Sequence, residues 1–79
     1  MEKVKQTIDH NEIVDYVTRQ HGNPCYVTGT KILRIKFATG YSEQFIKIAW
    51  EEFFKTFEKS KLLFLYNPHT KFNKFIKRI

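Results

Sequence analysis

The sequence predicts an α+β domain: a small antiparallel sheet with helices packed on one face, in the approximate order α-β-β-β-α-β-α. Three observations lead there. Two segments carry apolar residues at helical spacing, and several short segments alternate or run apolar as strands do. The turn-forming residues Gly22, Asn23-Pro24, Gly29, Gly40 and Asn67-Pro68 fall between them. With 79 residues the chain is one domain, residues 1–79, and its core is small.

The first helix begins at Asp9, which is placed to cap the amide of Glu12 while Glu12 reaches back, an Asp-headed capping box. Ile8 and Ile13 stand at the two positions of a hydrophobic staple. Ile13, Val14 and Val17 form the apolar stripe, with Tyr16 beside it. Gly22 suits the left-handed position after the helix, and Asn23-Pro24 prevents continuation. A short strand over 25–27 then turns at Thr28-Gly29-Thr30 into a longer one over 31–37. There Leu33, Ile35 and Phe37 alternate with Arg34 and Lys36. A loop, "ATGYSE", leads to the strand "QFIKI", with Ile46 and Ile48 on one face and Phe45 and Lys47 on the other.

In "AWEEFFKTFEKSKLLFLY", Trp50, Phe53, Phe54 and Phe57 fall at i, i+3, i+4 and i+7, one face of a helix. Glu51, Glu52, Lys55, Glu58 and Lys59 take the opposite face. "KLLFLY" lacks that period and reads as a buried strand, so the rings belong inside the fold. In the tail, Phe72, Phe75, Ile76 and Ile79 fit helical spacing, whereas a strand would place Lys74 beside Phe72 and Ile76. A closing helix is expected, despite lysines in its first turn that oppose the helix dipole.

Composition excludes several chemistries. Cys25 is the single cysteine, so there is no intrachain disulfide and no cysteine-rich zinc site. No phosphate loop, HExxH, CxxC or GxSxG occurs. His21 and Cys25 stand four apart, but Gly22 and Pro24 break the helix that would make this spacing useful. No catalytic residue, metal ligand or cofactor is expected, and Cys25 reads as a small buried strand residue. Without an apolar leader or a segment of transmembrane length, a soluble cytoplasmic protein with no membrane association is expected.

The net charge of +6 is uneven. Residues 1–30 carry three bases against four acids, net −1; residues 31–60 carry six against four, net +2. Residues 61–79 carry five bases and no acid, net +5. Two surfaces could use this charge. One is the outer sheet face, with Arg34, Lys36 and Lys47 near Phe45 and Tyr41; the other is the tail, with Lys71, Lys74, Lys77 and Arg78. Bases interleaved with rings suit single-stranded nucleic acid. Each surface also fits a plain solvated face.

The order of signals "GNPCYVTGT", "LRIKF", "IAWEEFF", "LFLYN" and "TKFNKFIKR" resembles a family of small bacterial proteins of unknown function. Its members share a Gly-x-Pro after the first helix, a Trp-x-Glu-Phe-Phe segment, a Leu-Leu-Tyr strand and a Ser-x-Phe-x-Lys-Leu-Val-like close. Some are loosely labelled glucan-branching enzymes, a label this length does not support. The resemblance covers residues from about Ile13 to Arg78 and implies no activity. Its members are acidic around the Trp segment, so it implies that polyanion binding would be special to this chain.

The expected function is a small non-enzymatic binding or adaptor module acting through protein–protein contact, a homodimer included. Phe45 and Tyr41 are the rings expected outside. The alternative is a basic nucleic-acid-binding protein using the sheet face or the tail. An enzyme built on His21 and Cys25 is a third reading, which requires Cys25 to be reactive in the folded state.

Overall fold

A computed structural model describes residues 4–37 and 43–78. The order is β1 (Lys5–Thr7), α1 (His10–Arg19), β2 (Asn23–Val27), β3 (Leu33–Lys36), β4 (Phe45–Lys47), α2 (Trp50–Lys59), β5 (Leu62–Tyr66) and β6 (Asn73–Lys77). The strands form two antiparallel sheets, β1-β5-β6 and β3-β2-β4. The fold class is therefore α+β, as the sequence predicts, with two small sheets where one was expected.

Both helices lie on one side of the strands. Paired residues of an antiparallel sheet share a face, and β5 aligns Phe64 with Phe75 and Thr7. On that face the Tyr16 ring of α1 lies 5.9 Å from Phe64 and 4.4 Å from Tyr66. Phe53 and Phe57 of α2 meet Phe75 edge-on at 5.9 and 6.5 Å. In the other sheet Tyr26 reaches α2 from the same side, donating its hydroxyl to Glu52 at 2.6 Å and sharing a contact with Thr56. The rings of the aromatic stretch are the core: Phe53, Phe57 and Phe64 are fully buried, and Trp50 and Phe54 pack against them.

The tail is a strand, β6, where a helix was expected. Its apolar residues divide between two faces, Phe75 toward the helices and Ile76 away from them, and such a pattern mimics helical spacing. Pairing decides it, because β6 completes the hydrogen-bond ladder of β5 while a helix would begin on lysines against its dipole. β1 was also unforeseen; it is three residues long and pairs with the far edge of β5.

The caps differ from expectation too. Asp9 caps the Glu12 amide at 3.1 Å as expected. The Asp9 amide, however, donates to the Thr7 hydroxyl at 2.9 Å, because β1 brings Thr7 there, and Glu12 turns toward Thr7 and Tyr66 instead. Ile8 of the expected staple is half exposed. At the end of α1 the left-handed residue is His21 (φ 60), not Gly22. The amides of His21 and Gly22 donate to the carbonyls of Thr18 and Val17 at 3.0 and 2.8 Å, the Schellman arrangement. Gly22 is required by close approach: a Cβ there would stand 2.8 Å from Ile35 Cγ2.

A left-handed conformation costs a non-glycine residue about 1–2 kcal/mol, partly offset by the greater unfolded-state freedom of glycine. His21→Gly should therefore stabilise the fold by roughly 0.5–1 kcal/mol, read as a Tm rise of roughly 3–6 °C. An unchanged or lowered Tm in a thermal melt would refute it.

Candidate binding surface

The side of the sheets away from the helices carries the residues of interest. In β3-β2-β4 the register sets Arg34, Cys25 and Lys47 in one row, flanked by Lys36 with Asn23 and by Phe45 with Val27. In β1-β5-β6 it sets Gln6, Leu65 and Lys74 in one row and Leu63 with Ile76 in the next. Leu63, Leu65 and Ile76 are only partly buried and stand outside the packed core. Phe72, half exposed, lies in the turn leading into β6.

The edge strands β3 and β6 approach each other at a seam, where Arg34, Asn73, Lys74 and Phe75 line a shallow pocket of about 290 Å³. Arg34 thus stands across the seam from Lys74, which joins the expected sheet-face cluster to one residue of the expected tail cluster.

Charge separates by layer. The strands carry Lys5, Arg34, Lys36, Lys47, Lys74 and Lys77 and no acid. The helices with their Asp9 cap carry six acids, Asp9, Glu12, Asp15, Glu51, Glu52 and Glu58, against Arg19, Lys55 and Lys59. The sheet layer therefore presents a positive potential that attracts anionic groups.

Of the residues singled out in the sequence, Arg34, Lys36, Phe45, Lys47 and Lys74 share this side. Phe45, expected outside, is partly buried. Lys71 is exposed in the turn before β6, and Lys77 lies in register with Leu62 at the strand's end. Arg78 turns inward: Nε donates to the Leu62 carbonyl at 2.7 Å, Nη2 to Glu58 at 3.0 Å, and the guanidinium sits 5.4 Å from the Phe57 ring centre. The tail thus contributes scattered bases, one of which is structural. Tyr41 lies outside the described residues.

Glu58 joins Arg78 to His10, whose ring stacks on Phe54 at 4.0 Å and whose Nε2 lies 2.7 Å from the Glu58 carboxylate. The His10 hydrogen bond holds the Glu58 carboxyl below its usual range, against the effect of partial burial and with support from Arg78. These groups tie α1, α2 and the end of β6 together. Cys25 is 1 % exposed. Burial pushes its thiol up from the ordinary value, away from the thiolate that nucleophilic or metal chemistry needs.

Leu63, Leu65, Phe72 and Ile76 escaped the sequence reading. "KLLFLY" is apolar on both faces, so alternation could not mark one as outward; the signal was available only through the strand reading of the tail. Among the described residues, no group of three or more His, Cys, Asp or Glu could hold a metal, and no helix is long and apolar enough to cross a membrane. The chain matches no family model, no curated protein and no solved structure.

Proposed function

We propose that this protein is a small binding module that engages an acidic protein partner through the outer side of its sheets. One observation supports the reading above others: on the outer side the aliphatic Leu63, Leu65 and Ile76 lie beside Lys74, with Arg34 across the seam, on strands that carry no acid. Apolar residues with a basic surround suit a partner that buries aliphatic side chains and presents carboxylates at the rim.

Nucleic acid is the second reading, favoured by the four bases Arg34, Lys36, Lys47 and Lys74 on one side. Against it, the outward Leu63, Leu65 and Ile76 of β5 and β6 are aliphatic, while base recognition on a sheet uses stacked rings.

The two part in a fluorescence-anisotropy titration with a labelled glutamate–leucine copolymer, single-stranded DNA and duplex DNA, at about 50 and 200 mM salt. The copolymer is expected to bind with modest salt dependence. Ile76→Glu should weaken it by roughly tenfold or more, with the Tm little changed, because the side chain stands outside the core. Tighter binding of DNA that falls by orders of magnitude across that salt interval, and is lost when the four bases become Gln, would reverse the order of the two readings.

A further inference from the structure

The pocket at the seam touches Asn73, Lys74 and Phe75, three successive residues of β6. Successive strand residues point to opposite faces, so a cavity that meets all three runs along the strand's edge. Backbone phase shows what that edge presents. The Asn67 amide donates to Phe72 O at 3.1 Å and the Arg78 amide to Lys61 O at 2.8 Å, one bond at each end of the β5–β6 ladder. Alternate pairs of an antiparallel ladder exchange hydrogen bonds, so the bonded pairs between these ends are Leu65–Lys74 and Leu63–Ile76. The N–H and C=O groups of Asn73, Phe75 and Lys77 therefore point away from β5, toward an edge with no strand partner among the described residues.

Across the seam, the Val27 amide bonds Ile32 O at 2.9 Å, which by the same phase turns the backbone of Leu33 and Ile35 outward. Arg34 folds over that edge, its Nη1 donating to Leu33 O at 2.9 Å. One side of the seam is thus covered by a side chain, while on the β6 side no described strand takes up the edge.

We infer that the β6 edge is a strand acceptor: an extended, glutamate- or aspartate-bearing peptide pairs with Asn73, Phe75 and Lys77 and places its carboxylates against Arg34 and Lys74. This deepens the reading of the sheet side as a protein-binding surface and rests on it. Main-chain bonds supply affinity in such additions and alternate side chains supply specificity. The charge selects the partner. A second copy pairing through β6 would bring Arg34, Lys74 and Lys77 close to their own counterparts with no strand acid to offset them. An acidic strand meets the opposite condition.

The test uses the full chain and a short synthetic peptide of alternating glutamate and valine, with amide hydrogen exchange followed by NMR. Bound peptide should slow exchange at Asn73, Phe75 and Lys77 by roughly tenfold or more, while Lys74 and Ile76, already bonded to β5, change little. A peptide N-methylated on alternate residues along one edge should lose binding, and Lys74→Glu should weaken it by roughly tenfold or more. Peptide binding without protection of the three edge amides overturns the strand acceptor but leaves the sheet side as the interface. Failure of both this peptide and the glutamate–leucine copolymer overturns both readings. Self-association through these amides, seen by sedimentation, would replace the acidic strand by a second copy and refute the inference.

Discussion

Phe53→Ala is expected to leave the chain at the margin of stability, with up to about half of the molecules unfolded at room temperature. Phe53 is fully buried and stands at the centre of the ring cluster, 5.1 Å from Trp50, 5.0 Å from Phe54, 6.0 Å from Phe57 and 5.9 Å from Phe75. Truncating a buried Phe to Ala costs about 3–5 kcal/mol, the lost transfer energy plus a cavity that neighbours fill only in part. A domain of this size has about 5 kcal/mol in total, so one substitution removes most of it. Trp50 fluorescence and far-ultraviolet circular dichroism should report loss of structure together, since the indole packs on the missing ring. Phe72→Ala is the matched control. Its ring is half exposed, and stability should move by no more than about 0.5 kcal/mol. If Phe53→Ala kept a urea midpoint near that of the parent, the ring cluster would not be what holds the fold.

The same rings explain how much of the molecule was legible in the sequence. Trp50, Phe53, Phe54 and Phe57 declare a helix because the opposite face is polar throughout and mostly charged, leaving one periodicity that fits. Leu33 and Ile35 against Arg34 and Lys36 declare a strand for the same reason. The tail misled because "KFNKFIKRI" has apolar residues on both sides of the strand it forms, and a strand wetted by one core and one open apolar face carries the spacing of a helix. What removes the ambiguity is the edge of β5, a partner distant in sequence that local pattern cannot express. Part of the candidate surface was legible on the same grounds. Arg34, Lys36 and Lys47 alternate with core residues and so had to point outward. Arg78 did not betray its role, because nothing in its neighbours in sequence points to Glu58 and Phe57.

Glu12→Ala is expected to cost about 1–3 kcal/mol, the usual penalty for leaving a buried polar group without its partner. The Glu12 carboxylate accepts the Tyr66 hydroxyl on one oxygen and the Thr7 hydroxyl at 3.0 Å on the other, while Thr7 accepts the Asp9 amide that opens α1. One side chain thus joins β1, α1 and β5. Tyr66 is 5 % exposed, and burial, with the neighbouring Glu12 carboxylate second, pushes its phenol up to about 12. A raised phenol pKa means the folded state holds the neutral ring more tightly than the unfolded chain does. That contribution is therefore complete below the ordinary value of 10.0 and is lost as pH rises from there toward about 12. Urea midpoints measured across this interval should fall. Tyr66→Phe should shallow the decline without abolishing it, because burial also raises the phenols of Tyr16 and Tyr26. The double variant Glu12→Ala with Tyr66→Phe should lose less than the two single losses added, since removing both partners leaves neither group stranded. Strict additivity would show that the carboxylate and the phenol act on the fold separately.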